Sequence, residues 1–183
     1  MYRMSVMAMM YVPDEGQTVD KNKLVRLALI HDMAECIVGD ITPFDGIPPK
    51  EKHEMEVNAM TYLGTRQLSS YYALRHPLVI TYLGSLLPEK TSEEFKTLFN
   101  EYESQESIES KIVKEFDLFD VMLQAFQYEQ REYLTNGRVV KFQEFFDNAF
   151  GRIKSKHLLK ISEEIDKNRE EFWSKIESNI GHN

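Results

Sequence analysis

The stretch Ile30-His31-Asp32-Met33-Ala34-Glu35-Cys36-Ile37-Val38-Gly39-Asp40 begins inside a run with helical periodicity, carried by Leu24, Leu27, Ala28 and His31. It leaves that run at Gly39, the first residue suited to ending a helix. Steps of three and four from Leu24 reach Leu27, Ala28, His31 and Glu35, so an imidazole and a carboxylate share the face expected to point into the core. Asp32, four residues after Ala28, falls on the inner flank of the same face. Burying two carboxylates and a histidine within about one turn is costly unless something compensates their charge and fills their hydrogen-bonding capacity. A divalent metal ion does both. The competing reading is a histidine satisfied within the core, as single inward histidines often are. Adjacent residues on a helix point about 100° apart, so an ion shared by His31 and Asp32 would sit beside the helix and take further ligands from elsewhere in the chain.

The chain has 183 residues, 42% hydrophobic and 28% charged, with Cys36 its one cysteine. That is enough for one domain with a sizeable core, and it excludes the compositions of disordered and membrane-spanning chains. No stretch approaches the roughly 20 apolar residues of a spanning helix. A single cysteine allows no internal disulfide framework, so a reducing, cytoplasmic setting is expected. The formal charge of -8 argues against nucleic-acid polymers as partners, because no basic surface is available to displace counterions from phosphates. No membrane partner is expected either.

Along the chain, Met1, Met4, Met7, Ala8 and Tyr11 already follow helical spacing with no capping residue ahead of them. An N-terminally truncated domain that opens partway through a helix is therefore expected. Pro13-Asp14-Glu15-Gly16 ends that helix, and Asp20 can cap a second one running from about Lys21 to Val38. Gly39 to Pro49 reads as a loop, and Pro48 and Pro49 suit the first turn of a helix through Lys50 to about Gln67. Tyr71 to Leu87 is mostly apolar and predicted helical. Thr91-Ser92-Glu93-Glu94 has capping-box spacing ahead of Phe95, Leu98, Phe99 and Tyr102.

The longest periodic segment runs from about Glu106 to Leu134, and within it Asp117 stands four residues after Val113 on or near the inward stripe. A core aspartate without a cation is rare. Phe119, Leu123 and Phe126 continue the periodicity and read as core. Asn136-Gly137 closes that helix, and Val140, Phe142, Phe145, Phe146 and Phe150 mark another. Ser162 to Ile180 reads as a charged terminal helix docked by Phe172 and Trp173, within a helical extension of about residues 155–183. With no alternating strand, repeat or boundary, the expectation is an all-α, single-domain helical bundle over residues 1–183.

Nitrogen and oxygen donors without thiolates suit first-row transition ions or magnesium better than a closed structural zinc site. In its motifs the chain resembles the HD-domain metal-dependent phosphohydrolases, and within them the 5′-deoxynucleotidases. The resemblance is carried by His31-Asp32-Met33-Ala34-Glu35, Val38-Gly39-Asp40-Ile41-Thr42-Pro43, Lys52-His53, Leu86-Leu87-Pro88-Glu89, Glu101-Tyr102-Glu103, Lys114-Glu115-Phe116-Asp117, Met122-Leu123-Gln124-Ala125 and Tyr128-Glu129. It spans Tyr2 to about Ile153.

What the resemblance implies is an HD-domain helical bundle that removes phosphate from deoxyribonucleoside 5′-monophosphates with a divalent ion, Co, Mn, Mg or Zn. His31, Asp32 and Asp117 match its metal ligands, and Glu35 and Asp40 match acidic residues of the active site, Glu35 to accept or relay a proton and Asp40 to orient the water or contact the sugar. The family's further histidine ligand aligns immediately ahead of Met1. For Lys52 a place beside the substrate phosphate competes with that of an exposed helix lysine, and for Thr42 and Pro43 a place in the nucleotide pocket competes with a plain turn. The resemblance also implies a homodimer. Rival expectations are another nucleotide substrate for the same metal site, or a helical interaction module using an aromatic surface of Phe145, Phe146 and Trp173.

Overall fold

The computed structural model describes residues 1–41, 45–65 and 89–180, and among them all regular structure is helical. In chain order the helices are α1 (Tyr2–Met10), α2 (Lys21–Ile30), α3 (Glu35–Val38), α4 (Pro49–Thr65), α5 (Glu89–Ser104), α6 (Ile108–Asn136), α7 (Gln143–Phe150) and α8 (Lys156–Ile180). The helix expected over Tyr71 to Leu87 lies outside the described residues. Helices α1, α2 and α5 pack around the first half of α6, α4 lies against α5, and α7 and α8 cover the second half of α6.

Local chemistry explains most of these limits. Asp20 caps α2 as its spacing suggests, its carboxylate accepting from the backbone N–H groups of Asn22 and Lys23 at 2.9 and 3.3 Å, two of the donors a helix start leaves unpaired. Ser107 does the same for α6 through the Ser110 N–H at 3.1 Å. That helix ends on Gly137, whose φ of 64° is the left-handed conformation glycine adopts without a Cβ penalty.

Three expectations change. Helix α2 stops at Ile30 and does not run on to Val38; His31 to Ala34 form a turn closed by Met33 N–H to Ile30 O and Glu35 N–H to Asp32 O at 2.9 and 3.0 Å, and α3 follows. The spacing of three between those partners is tighter than the α-helical four, which apolar periodicity does not distinguish over so few residues. Helix α5 already runs at Glu89, so Thr91 to Glu94 lie inside it and do not cap it. Helix α8 starts at Lys156, near the head of the helical extension expected from about residue 155 but six residues ahead of Ser162, where the charged helix was expected to begin. Its first N–H groups are met by distant carboxylates: Glu115 accepts from Ser155 N–H at 2.9 Å and Asp14 from Lys156 N–H at 3.3 Å.

The core is continuous through Met4, Leu24, Leu27, Phe99, Val113, Phe116 and Met122, each fully buried side chain worth about 1.5–3 kcal/mol. Phe119 and Phe126 are buried with them, as their periodicity implies. Phe146 and Trp173 are buried too, at 0% and 4% exposure, and of the three aromatics expected of an interaction surface Phe145 alone is exposed, at 37%.

Candidate active site

The turn that interrupts α2 and α3 is where His31 and Asp32 converge. His31 is 4% exposed, and its Nδ1 lies 3.0 Å from the carbonyl oxygen of Ala28. A carbonyl only accepts, so Nδ1 carries the hydrogen and Nε2 presents its lone pair in the neutral ring. That Nε2 is buried without a hydrogen-bond donor, yet it stands 2.8 Å from Asp32 Oδ2. Two electron-pair donors approach so closely only around a shared cation, a proton or a metal ion. A histidine whose other nitrogen donates to a backbone carbonyl is the usual posture of a metal ligand. The pair therefore fits a divalent ion in donor chemistry.

Asp117, on α6, does not join them. Its Oδ2 accepts from Lys114 Nζ at 2.7 Å, and among the described residues no group of three or more His, Cys, Asp or Glu is placed to hold a metal ion. Asp120, one turn further along α6, is held elsewhere by Arg3. His31, Asp32, Glu35, Lys52, Tyr102 and Lys114 line a cleft of about 240 Å³ between α2, α4, α5 and α6, with Glu56, His53 and Glu103 on its wall. Lys52 on α4 donates to Ile41 O at 2.8 Å and faces Glu56 at 3.6 Å, so it is no freely solvated helix lysine. Gly39, with φ 83° and ψ 166°, occupies a region nearly closed to other residues and turns the chain so that Asp40 is exposed just beyond the cleft. Thr42 and Pro43 lie outside the described residues.

An HD-domain family model matches residues 1–165 of this sequence. The chain belongs to the HD-domain family. It is 38% identical over 169 residues to human 5′-deoxynucleotidase HDDC2, a match covering 92% of this chain and 70% of that protein. To the Schizosaccharomyces pombe 5′-deoxynucleotidase hdd1 it is 35% identical over 177 residues, 96% of this chain and 77% of that one. Among solved structures it superposes on HD domain-containing protein YGK1 with a TM-score of 0.59 at 26% identity, over 94% of this chain and 74% of the other; YGK1 of Saccharomyces cerevisiae is itself named a 5′-deoxynucleotidase.

In this HD domain the two carboxyls next to His31 differ in kind. Burial alone would raise Asp32, but when the cation shared with His31 is a proton, the ring is an imidazolium whose hydrogen bond and charge, with smaller help from the α-amino group of Met1 and from Lys114, carry Asp32 below its ordinary value. Glu35 moves the other way: burial first, then the Asp32 and Asp40 charges, push it from 4.5 up to about 7. A carboxyl poised there exchanges protons at neutral pH.

A raised acid prefers the folded state when protonated, so in metal-free protein the ionised form opposes folding, and increasingly so as pH rises from 4.5 to about 7. Glu35→Gln in the presence of a chelator should therefore be more stable than the parent at pH 8, by about 1 kcal/mol after solvent screening of a half-buried group. The gain should vanish at pH 4. Urea titrations at the two pH values measure it, and an equal difference at both would remove Glu35 as the group responsible.

Tyr102 and Lys114 belong to the cleft although nothing in the sequence pattern assigned them to it. The Tyr102 ring stands edge-on to His31 at 5.3 Å, and its hydroxyl accepts from Lys114 Nζ at 3.3 Å. Burial, with Asp117 and Asp32 nearby, raises its pKa well above the usual phenol range, so the hydroxyl stays protonated. Its place on the stripe of Leu98 and Phe99 marked it as core, which it also is. For Lys114 the available signal was its spacing of three from Asp117 on one helix.

Proposed function

We propose that this chain is a metal-dependent phosphohydrolase that removes phosphate from deoxyribonucleoside 5′-monophosphates. The observation that supports it most is the His31 Nε2 lone pair set against Asp32 Oδ2 at 2.8 Å, in a chain 38% identical to a 5′-deoxynucleotidase over 92% of its length. His31 and Asp32 would hold a divalent ion, and Asp117, which the family resemblance makes the third protein ligand, would join them only by giving up its contact with Lys114. When bound, such an ion supplies Lewis acidity toward phosphoryl oxygen and water. Hydrolysis of phosphate monoesters is among the slowest uncatalysed reactions, so the remaining groups must place and deprotonate that water.

Glu35 stands one turn from Asp32, ionises near neutrality, and takes the water's proton and returns it to the leaving 5′ oxygen. Asp40, exposed at the end of the Gly39 turn, keeps Glu35 high by its charge and faces the sugar. Thr42 and Pro43 are assigned to binding the nucleotide on the family resemblance of their sequence alone. Lys52 holds the Asp40-Ile41 backbone in place by its bond to Ile41 O.

Homodimer formation is part of the same proposal. It is supported by the apolar side chains that α1 leaves in water, Tyr2, Met9 and Met10 at 83%, 67% and 71% exposure, since such patches usually mark contact surfaces. Light scattering checks it.

The decisive experiment is phosphate release from matched deoxyribonucleoside and ribonucleoside 5′-monophosphates with cobalt, manganese, magnesium or zinc added. It is run on this chain and on a version with a histidine-bearing segment ahead of Met1. Turnover confined to the deoxy series is expected. A folded protein releasing no phosphate with any of the four ions would overturn the proposal, and release from ribonucleotides alone would overturn its substrate.

A further inference from the structure

We propose that Lys114, not Lys52, is the residue that binds the phosphoryl group of the substrate, and that Lys52 is a positioning residue for the Asp40-Ile41 backbone. The inference deepens the phosphohydrolase reading above and rests on it. Asp32, Glu35, Glu56 and Glu103 all line the cleft. A phosphate monoester entering it meets four carboxylates, and repulsion between like charges at such distances must be offset by a protein cation as well as by any metal. The lysines on the cleft wall are Lys52 from α4 and Lys114 from α6.

Their surroundings separate them. Lys52 Nζ donates to Ile41 O at 2.8 Å and lies 3.6 Å from Glu56, a residue only 9% exposed. Withdrawing that ammonium would strand a buried carboxylate and a backbone carbonyl, and both losses are costly. Lys52 is tied down.

Lys114 has different obligations. Its ammonium reaches Asp117 Oδ2 at 2.7 Å and the Tyr102 hydroxyl at 3.3 Å; like Lys52 it keeps one of three protons unassigned, and the difference lies in how readily its partners can let it go. Asp117 keeps a quarter of its side chain in solvent and Lys114 more than a third, so neither is stranded if the contact loosens. Lys114 also lines a second groove of about 570 Å³. Tyr102 fixes its direction: the same side chain that receives Lys114 packs edge-on to His31. Lys114 and His31 thus line the same cleft on either side of Tyr102, and a phosphoryl group set against His31 and Asp32 would be met there by the Lys114 ammonium. A lysine is suited to this as a compact, mobile charge with three donors.

Titration of inorganic phosphate into manganese-loaded protein by calorimetry tests the assignment, with metal content measured in parallel. Lys114→Gln should weaken phosphate binding about ten- to a hundredfold, the loss of one charge-assisted hydrogen bond, and raise KM for a deoxyribonucleoside 5′-monophosphate by a similar factor with a smaller change in kcat. Lys114→Arg should stay within about fivefold of the parent, which also covers the case in which the glutamine variant does not fold. Lys52→Gln should keep phosphate affinity within about threefold while kcat falls, because its loss disturbs the Asp40-Ile41 backbone and leaves the phosphate contact in place. Phosphate binding left intact in Lys114→Gln at unchanged metal content, or lost equally in Lys52→Gln or in Lys114→Arg, would overturn the proposal. If the parent hydrolyses monophosphates while Lys114→Gln binds phosphate normally, only this assignment falls. A parent that neither binds phosphate nor turns over removes the phosphohydrolase reading and this assignment with it.

Discussion

Asp32→Ala is expected to abolish phosphate release and leave the folded protein without its metal. The loss should exceed the 10- to 100-fold that removal of an outer-shell partner typically costs, because Asp32 is the carboxylate set 2.8 Å from the His31 lone pair. The fold should survive. Asp32 is half-exposed and its backbone, not its side chain, closes the turn onto Glu35 N–H, so the thermal midpoint of the metal-free variant should stay within a few degrees of the parent. His31→Ala should lose the metal as well but cost more stability, since it also vacates a buried ring packed on Tyr102 and frees the Ala28 carbonyl. Metal stoichiometry by atomic absorption, with circular dichroism melts, reads both. An Asp32→Ala protein that keeps a full equivalent of manganese would exclude Asp32 as a ligand.

The largest stability effect is expected far from that cleft. Glu129 of α6 is completely buried, and its two oxygens accept from Arg169 Nε at 2.8 Å, Arg169 Nη2 at 2.9 Å, Trp173 Nε1 at 2.8 Å and the backbone N–H of Phe142 at 2.5 Å. Arg169 is 5% exposed, stacks on Phe146 at 4.0 Å and reaches Gln143 at 2.9 Å. One carboxylate thus fastens α6, the start of α7 and α8 together.

Glu129→Ala leaves a guanidinium, an indole N–H and a backbone N–H buried without their partner. Breaking a buried pair from one side costs about 3–5 kcal/mol, which for a chain of this size is about 6–20 °C in Tm. Replacing both partners, Glu129→Leu with Arg169→Met, should recover much of the loss, because an apolar pair leaves no charge stranded. A midpoint lowered by only two or three degrees in Glu129→Ala would show that the network contributes little. If the double variant were as unstable as the single one, packing and not stranded charge would be the cause.

The sequence by itself determined the helices and the pair at the centre. Asp20, Pro49 and Gly137 set helix ends through their own backbone and side-chain chemistry, which acts within a few residues and is therefore legible locally. The apolar stripe of Leu24, Leu27 and Ala28 placed His31 inward, and it is buried there. Glu129 and Arg169 also stand at inward spacings, four residues after Ala125 and Ile165, but which charge meets which depends on how α6 and α8 cross.

The rest was decided by tertiary structure, in each case because the partner is distant in sequence. The break after Ile30 swaps α-helical bonds for tighter ones over four residues, too short a span for periodicity to register. Helix α8 begins where Glu115 and Asp14 reach its first N–H groups from 40 and 142 residues away. Lys52 became a strut only because α4 returns its ammonium to Ile41 O. Lys114 gained its place only when α5 brought the Tyr102 hydroxyl onto it. Local free-energy preferences are written residue by residue, whereas a charge finds its partner only after packing has fixed the distance between helices.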